Sequence, residues 1–400
     1  MYPNTITEKL ASKLIKAITL SENTLIKLIA CCLFYRRYRG NVERVMIFLS
    51  GGIGDFIATI PAIKRIREMF PHARILLLCT DSSIKKVSMR HPENPEWFDF
   101  VDHLIDERIF IKGYDILKKE SINRARNAVK RLSPQIIFVL DPLGSGLVNK
   151  LRKMIYLWLI GVRNKVYGLK IAFDFNIKPL RDIYFRLGII KNTIWGPLNA
   201  VHELKNISHE FNGYSTNIDM ARVRDEIRSI GDESIVVIFP GGGFPCRLWP
   251  VENYVELIKR LKKKNNDVNF YLIGGKGDMH ECEAIYNLSR GLVRQNLCGM
   301  LNLMEVAFLI KKAKLYIGND SGITHLSSAL GVTTIVIESA QNYPGFWWES
   351  REDQVYVIRL TTDCQYCHSY PVCPTGTLKC IRSIEVSAVE ERVCKILMKN

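Results

Sequence analysis

The sequence has no apolar run long enough to cross a membrane, no secretory signal and comparatively few acidic residues. A spanning helix needs about 20 consecutive apolar residues, so we do not expect an integral membrane protein. Eleven cysteines without a secretory signal favour reduced thiols and a cytoplasmic location. Lys and Arg number 56 against 40 Asp and Glu, a net charge of +16. This excess favours an anionic partner, and a lysine-rich surface that only confers solubility is the alternative.

Residues 1–43 are predicted to be a basic amphipathic extension. Apolar residues recur at helical spacing from Leu10 to Ile18 among lysines, and the apolar run from Leu25 to Phe34 is followed by arginines. Basic amphipathic helices can lie on an anionic membrane face, which would make the protein peripheral on the cytoplasmic side of a membrane. The alternative is an extra helix that packs on the body of the protein.

Strand and helix patterns alternate twice along the rest of the chain. The first series opens with an apolar strand at Val42–Ser50, a glycine turn and a helix at Phe56–Met69. Pro61 is expected to shorten or kink this helix. The second series opens at Ser234 with a strand, a glycine loop and a lysine-rich helix. Alternation of this kind predicts an α/β protein with parallel sheets.

Two Rossmann-like, doubly wound domains are therefore expected. We place the first domain at residues 44–228 and the second at residues 229–384, followed by a closing helix at residues 385–400. Doubly wound sheets bind ligands beyond the carboxyl ends of their strands. A ligand is accordingly expected at these ends, between the two domains.

The stretch Leu315–Gly331 has the pattern of a strand, a polar turn and a helix. Its first three residues are apolar, the residues from Gly318 to Gly322 are expected to end the strand, and apolar residues then recur at helical spacing. Backbone N–H groups and the positive end of a helix dipole at such a turn suit a phosphate. Asp320 and His325 lie beside it. The alternative is that Asp320 only caps the helix and His325 only packs.

A second glycine loop consists of Gly241, Gly242 and Gly243, which follow the strand that opens the second series. A loop without side chains lets backbone N–H groups approach a phosphate closely. Trp249 closes this loop and is expected to be structural. The sequence therefore predicts two phosphate-binding turns in the second domain.

Four cysteines near the end of the chain have the spacing C-x2-C-x5-C-x6-C. They are Cys364, Cys367, Cys373 and Cys380, in a segment, 364–380, with little apolar core, and His368 is a spare ligand. Thiolates at this spacing can bind zinc or iron, here in a structural role. Ordinary thiols and disulfides are the alternatives.

Five motifs follow one another in order over roughly residues 44–385. They are GGIGDFIATIPAIKRIREMFPHARI, VHELKNI, FPGGGFPCRLWPVENYVEL, LIGGKGDMHECEAI and CGMLNLMEVAFLIKKAKLYIGNDSGITHLSSALG. In this order they resemble glycosyltransferase family nine, the bacterial lipopolysaccharide heptosyltransferases. The resemblance implies a GT-B fold, whose two Rossmann-like domains face a central cleft, and an inverting sugar transfer from a nucleotide donor. For the heptosyltransferases the donor is ADP-heptose, the acceptor is an anionic lipid-linked saccharide at the inner membrane, and no cofactor is required.

The resemblance also implies roles for individual residues. Asp55, after the glycine turn with Gly54, matches the catalytic base that takes the proton of the acceptor hydroxyl, and the alternative is an aspartate that caps the following helix. Arg247 stands where the family tends to have lysine and would neutralise the departing diphosphate. Gly243 stands where family members usually carry a small hydroxyl residue.

Further matches concern the nucleotide donor. Glu281 matches the carboxylate that holds the ribose, with Asp278 and Glu283 as competitors. The donor-binding turn of the family matches Asp320, Ser321, Gly322 and His325. His202 and Glu203 match a further family pattern and are expected to be structural or to lie on the acceptor side.

Two other classes of function remain open at this point. Gly52 and Gly54 after a strand, with Asp81 ending the next strand, imitate the fingerprint of an NAD-dependent oxidoreductase. Ala58, however, stands at or beyond the place of the third glycine, and the second glycine loop is left unexplained. A non-catalytic basic protein that binds a membrane or nucleic acid would also explain the net charge, but no nucleic-acid module is recognised.

Overall fold

The protein divides into two units of similar size. The computed structural model describes residues 24–34, 40–80, 96–111, 119–140, 147–164, 166–169, 218–231, 234–342, 344, 347–348, 354–364, 367 and 372–397. Contacts group the chain into Met1–Phe211 and Asn212–Asn400. The candidates Asp81, His202, Glu203 and His368 lie outside the described residues.

The first unit is built on a parallel sheet. Its strands within the described residues are β1 (Arg44–Ser50), β2 (Arg74–Thr80), β3 (Glu107–Ile111), β4 (Ile136–Val139) and β5 (Val166–Tyr167). Their order is β3-β2-β1-β4-β5, and every pairing is parallel. The order reverses between β1 and β4, which makes the carboxyl end of β1 the point where doubly wound sheets bind ligands.

Helices cover this first sheet. They are α1, of which residues 24–33 are described, α2 (Ile53–Met69), α3 (Lys119–Leu132) and α4 (Leu147–Leu159). Helix α2 continues through Pro61, so the expectation that proline would shorten it is wrong. Eight of its residues are buried, including Ile57 and Ile60, which lie in the turn that precedes Pro61. This packing outweighs the local cost of the proline.

Helix α1 packs on the first unit. Ile26 and Phe34 are 3% and 5% exposed, and both belong to the core cluster that also contains residues of α3, α4 and the sheet. Leu25 and Leu28 on the same helix are exposed. The described part of the extension is thus a packed helix, as the alternative interpretation proposed, with an apolar outer side. No helix among the described residues is long and apolar enough to pass through a bilayer.

The second unit also contains a parallel sheet. Its strands in the described segments are β6 (Ser234–Phe239), β7 (Val268–Leu272), β8 (Val293–Asn296), β9 (Leu315–Asn319), β10 (Thr334–Glu338) and β11 (Val355–Arg359). They are ordered β11-β10-β9-β6-β7-β8 and pair in parallel. The order reverses between β6 and β9, so the loops after these two strands meet at the ligand-binding position of the sheet.

The helices of the second unit flank this sheet. They are α5 (Asp225–Arg228), α6 (Val251–Lys264), α7 (Met279–Leu288), α8 (Leu303–Lys312), α9 (Gly322–Ala329), α10 (Lys379–Arg382) and α11 (Val386–Leu397). The predicted closing helix is α11, which packs through Val389 and Val393 into the core cluster that contains α6. Arg224, before α5, pairs with the buried Glu305 of α8 at 2.6 Å. Residues just before the predicted boundary at 228 therefore contact the second unit.

Strand β9 is longer than expected. Gly318 and Asn319, which were expected to end the strand, pair with Val336 and Ile337 of β10. A Cβ on Gly318 would lie 2.6 Å from the hydroxyl oxygen of Tyr316, so only glycine leaves room for that side chain. The strand therefore runs through both residues, and the turn begins at Asp320.

Candidate functional site

Asp55 lies in the first turn of α2, directly beyond the carboxyl end of β1. Its Oδ2 accepts a hydrogen bond of 2.9 Å from the backbone N–H of Gly52, the residue that caps the helix. A Cβ on Gly51 would come within 2.5 Å of the same oxygen, so glycine is required there. The capping contact of the alternative interpretation is thus present. The aspartate also stands at the switch point of the first sheet, with Gly54 beside it in the same turn.

The glycine loop of the second unit is held by Asp278. The two carboxylate oxygens accept hydrogen bonds from Gly242 N–H at 3.3 Å and from Gly275 N–H at 2.9 Å. A side chain on Gly241 would overlap this carboxylate, whereas a Cβ on Gly243 would meet nothing within 4 Å. Asp278 therefore ties the loop after β6 to the loop after β7.

Glu281 lies three residues further on, in the first turn of α7, and is half-buried. Asp278, which sequence analysis treated as a competitor of Glu281, has the structural role in this loop pair. That role commits its two oxygens to backbone N–H groups.

Asn319, the last residue of β9, uses its whole amide group to fix the glycine loop. Its Nδ2 donates to the carbonyl oxygens of Pro240 at 2.7 Å and Gly241 at 3.1 Å. Its Oδ1 accepts from Trp249 N–H at 3.1 Å and from the Tyr254 hydroxyl at 3.0 Å. The side chain is fully buried, so the loops after β6 and β9 are locked to each other.

Replacing Asn319 by alanine is expected to lower the free energy of unfolding by about 2–4 kcal/mol, because buried donors and acceptors lose their partners. Urea denaturation of the two proteins measures the difference. Asn287→Ala, on the exposed side of α7, is the matched control and should change stability by less than about 0.5 kcal/mol. Equal stability of the two variants would show that Asn319 does not lock the loops.

Asp320 begins the turn after β9 and is buried, 2% exposed. Its Oδ2 lies 3.1 Å from a guanidinium nitrogen of Arg247, and its Oδ1 accepts a 2.8 Å hydrogen bond from Trp348 Nε1. The Arg247 side chain is 16% exposed. The structure thus joins Arg247, from the loop after β6, to Asp320, from the loop after β9, as one ion pair with a buried carboxylate and a partly exposed guanidinium.

Ser321, and not Asp320, caps α9. Its Oγ accepts from the backbone N–H of Thr324 at 3.4 Å. The Thr324 hydroxyl donates to Asn319 O at 2.5 Å and contacts the Ser321 and Tyr316 hydroxyls. Gly322 is the first helical residue. The proposal that Asp320 merely caps the helix is therefore wrong, and the N-terminus of α9, capped by Ser321, follows directly after Asp320 in the chain.

His325 is buried under two tryptophans. Its ring stacks on Trp348 with centroids 4.0 Å apart and planes 12° apart, and it meets Trp347 edge-on at 5.6 Å. Burial lowers the pKa of His325 to about 4; Asp320 opposes this shift and Arg247 adds to it. The imidazole is consequently neutral at physiological pH and contributes no charge to the ion pair.

The neutral state of His325 predicts acid sensitivity. Because the folded pKa lies below the unfolded value of 6.5, the unfolded state binds the proton first, and the free energy of unfolding falls as the pH drops from about 6.5 to about 4. His325→Gln should lose up to about 3 kcal/mol of this dependence. Urea titrations across this range measure it, and His280→Gln, at an exposed position, should keep the full dependence.

Glu338, at the carboxyl end of β10, was not singled out in the sequence. It is 1% exposed, its Oε2 lies 3.1 Å from Arg359, and its Oε1 has no hydrogen-bond partner. Burial raises the pKa of Glu338 to about 8, and the nearby Asp320 carboxylate adds to the shift. A charged residue that ends the apolar run TTIVI is the signal that could have found it.

The four C-terminal cysteines line one small cavity. Cys364, Cys367, Cys373 and Cys380 share it with Cys246 and Gln341 from the segments beside the glycine loop and β10. Hydrogen bonds from Thr375 and from backbone N–H groups of the following turn lower the pKa of Cys373, whereas burial raises that of Cys380. Within the described residues, no group of three or more potential ligands is arranged to hold a metal ion.

The two sheets with their loops define the class of protein. Numbered within each unit, the strand orders are 3-2-1-4-5 in the first sheet and 3-2-1-4-5-6 in the second. These are the orders of doubly wound, Rossmann-like domains, and they confirm the α/β class and the two parallel sheets that the sequence predicts. Asp55 stands at the switch point of one sheet, while Arg247, Asp320 and the glycine loop stand at that of the other. Two nucleotide-binding folds in one chain are the architecture predicted for a GT-B protein.

The comparison with protein families gives a match over most of the second unit. Residues 199–373, somewhat less than half of the chain, match the model of glycosyltransferase family 9 (heptosyltransferase). The resemblance predicted from the motifs is confirmed for this part of the chain, which contains four of the five motifs. A lipooligosaccharide heptosyltransferase 2 from Campylobacter jejuni is 25% identical over 175 residues, which are 42% of this chain and 52% of the relative. The chain thus spans about half the length of this relative.

Solved structures share the fold over most of the chain. A family 9 glycosyltransferase from Veillonella parvula has a TM-score of 0.60 at 15% identity and covers 90% of this chain and 99% of its own. The iron-containing dodecameric glycosyltransferase TibC from enterotoxigenic E. coli has a TM-score of 0.54 at 15% identity, with 90% and 78% covered. TibC has also been solved in complex with ADP-D-beta-D-heptose. At these identities the likeness concerns the fold.

Proposed function

We propose that this protein is an inverting glycosyltransferase that transfers a heptose or a related sugar from a nucleotide donor, ADP-heptose, to a lipopolysaccharide-type or other glycan acceptor. The Arg247–Asp320 pair carries the proposal. It lies where a glycine loop and the N-terminus of α9 meet at the switch point of the second sheet. Backbone N–H groups, a helix dipole and a guanidinium together suit a diphosphate. The family 9 domain in this unit supports a sugar nucleotide as the ligand.

The proposed reaction needs one base and one site for the leaving group. Asp55 takes the proton of the acceptor hydroxyl while the oxygen of that hydroxyl forms a bond to the anomeric carbon of the donor sugar. The bond from that carbon to the diphosphate oxygen breaks, and ADP leaves with the electron pair. Arg247 neutralises the departing diphosphate, and the neutral His325 supports the turn without adding charge.

The donor site that we propose uses both turns of the second unit. The loop of Gly241, Gly242 and Gly243 approaches the diphosphate through its backbone, with the N–H of Gly242 held by Asp278, and Glu281 holds the ribose. Ser321 and Gly322 present the first N–H groups of α9. The scheme invokes no cofactor: the backbone N–H groups, the end of the α9 dipole and Arg247, whose charge Asp320 partly balances, face the leaving group.

The acceptor is proposed to be an anionic lipid-linked saccharide at the cytoplasmic face of the inner membrane. The net charge of +16 and the exposed Leu25 and Leu28 of α1 support peripheral contact. A truncation that tests the extension should stop before residue 24, because Ile26 and Phe34 belong to the core. Loss of residues 1–23 should weaken binding to anionic vesicles at low salt, and unchanged binding would remove the extension from the membrane contact.

Incubation with ADP-heptose and candidate acceptors tests the function. Mass spectrometry should detect an acceptor enlarged by one heptosyl residue together with ADP. UDP-glucose and NAD with a secondary alcohol serve as alternative substrates in parallel reactions. A product only in the reaction of NAD with the secondary alcohol would favour the oxidoreductase interpretation. If none of ADP, UDP and NAD raised the melting temperature in a thermal-shift assay, this would argue against a nucleotide-binding enzyme.

We also propose a structural zinc or iron ion at Cys364, Cys367, Cys373 and Cys380. The fit rests on the shared cavity of the four thiols and on the hydrogen bonds that favour a thiolate at Cys373. The iron-containing TibC supports iron as one choice. The ion would hold the segment around these cysteines against the loop that contains Cys246 and takes no part in the transfer.

Elemental analysis of the purified protein checks this proposal. Stoichiometric zinc or iron is expected, and Cys380→Ser should lose the metal and lower the thermal midpoint, because structural thiolate sites contribute directly to folding. Cys394→Ser is the matched control, since this thiol lies on α11 outside the cavity, and it should keep the metal. A metal-free protein with unchanged stability after chelation would contradict the proposal.

A further inference from the structure

A cavity of about 320 Å³ opens in the first unit, away from the residues discussed so far. It lies before the amino end of β4, between the last turns of α3 and the loop that follows α4. Its lining includes the buried apolar residues Val129, Ile137 and Ile160 and the cations Arg126, Lys130 and Arg163. The floor is therefore apolar, and the rim carries three cations.

The rim is positively charged without a compensating carboxylate among its lining residues. Two of the cations are held in place by carbonyl groups. Arg126 donates through Nε and a terminal nitrogen to Leu159 O at 3.1 and 2.8 Å, and Arg163 donates to Trp158 O at 2.8 Å and to Val162 O at 2.7 Å. Carbonyl partners orient a guanidinium but leave its full charge available for an anion.

An apolar surface adjoins this rim. Ile155 and Trp158 lie one turn apart on α4 and are 46% and 41% exposed. Arg163 links the surface to the cavity, since its guanidinium carbon lies 4.8 Å from the centre of the Trp158 ring. A fixed cationic pocket beside an exposed tryptophan and isoleucine has the two halves of an interfacial site, one polar and one apolar.

We propose that this cavity binds the phosphate headgroup of an anionic membrane lipid, while Ile155 and Trp158 enter the headgroup region beside it. The inference rests on the peripheral membrane location that belongs to the proposed function, but it does not depend on the transfer reaction. A free phosphate would make no use of the apolar neighbours, and the chain's net charge of +16 complements an anionic bilayer.

The position in the fold separates this site from the proposed chemistry. The cavity is at the amino edge of the first sheet, whereas Asp55 is at the carboxyl edge. β1 has seven residues, so the two edges are about 20 Å apart. With lipid phosphates at the amino edge, the acceptor must present its reacting hydroxyl at that distance from them, which suits a saccharide that extends from its lipid anchor.

Co-sedimentation of the full chain with vesicles tests the proposal. With equimolar phosphatidylglycerol and phosphatidylcholine, Lys130→Glu and Trp158→Ser should each lower the partition coefficient about tenfold. Arg124→Glu makes the same change of charge on α3 at an exposed position outside the cavity and should have a smaller effect. Circular dichroism verifies that all three variants are folded.

Two results would contradict binding of a lipid headgroup in the cavity. An equal loss in Lys130→Glu and Arg124→Glu would mean that overall charge alone attracts the bilayer, and the cavity site would be wrong. Competition by millimolar inorganic phosphate at constant ionic strength, with no effect of Trp158→Ser, would identify a free-anion site instead. Lys130→Glu and Trp158→Ser should keep wild-type turnover on a water-soluble acceptor. A failure of the transfer reaction and a failure of membrane binding can therefore be told apart.

Discussion

Asp55→Asn is expected to lower the turnover number by a factor of about 10²–10⁴ and to leave the affinity for the donor unchanged. The substitution removes the base but keeps an amide oxygen that can accept the hydrogen bond from Gly52 N–H. The helix cap therefore survives, and the free energy of unfolding should change little. Steady-state kinetics with a donor-affinity measurement and a denaturation curve separate the two roles.

Asp102→Asn provides the comparison for this prediction. Asp102 pairs with Arg108 at 2.6 Å on the surface of the same unit, and its loss should leave turnover unaltered. If Asp55→Asn instead destabilised the protein and retained full turnover, the aspartate would be a helix cap and the assignment of the base would fail.

Arg247→Met is the second substitution with a large expected effect. It should reduce turnover about 10²–10³-fold, because the departing diphosphate loses its cation. The same change leaves the buried Asp320 carboxylate with Trp348 Nε1 but without its ion-pair partner, so donor affinity should also fall. A coupled assay that follows the release of ADP measures the fall in turnover. Calorimetric titration with ADP measures the fall in affinity.

Two further variants sharpen this result. Arg247→Lys keeps the charge and should restore part of the turnover, since the family tends to have lysine at this position, although it loses the planar fork. Arg294→Met, at an exposed position on β8, should behave like the unchanged protein. Equal turnover in Arg247→Met and the parent would remove Arg247 from the reaction.

Local sequence patterns predicted the strands and the turns of the second unit well. The strand that opens at Ser234, the glycine loop and the lysine-rich helix follow one another as predicted, as β6, the loop and α6, and the stretch from Leu315 forms the predicted strand, turn and helix as β9 and α9. These elements combine apolar runs, glycine turns and amphipathic helices, so their local signals agree with their burial. The predictions for Pro61 and Gly318 were wrong because packing on the sheet outweighed the tendency of these residues to end a helix or a strand.

The long-range contacts of the site could not be predicted in this way. Asn319 is an ordinary turn residue in the sequence, yet it joins residues up to 79 positions away. Trp348 and Glu338 follow the last motif and reach Asp320 only because β9 and β10 are neighbours in the sheet. Which side chains meet at a switch point depends on strand order, and strand order is a property of the whole sheet.

The carboxylate of Asp278 has a consequence for engineering of the donor specificity. Since it clasps the loop after β6 and the loop after β7 at once, neither loop has an independent shape. A chimera that imports one of them from a relative would pair it with a mismatched neighbour and should bind no donor well. Grafts that are meant to alter the choice of sugar nucleotide should therefore transfer both loops, with their shared aspartate, as a single cassette.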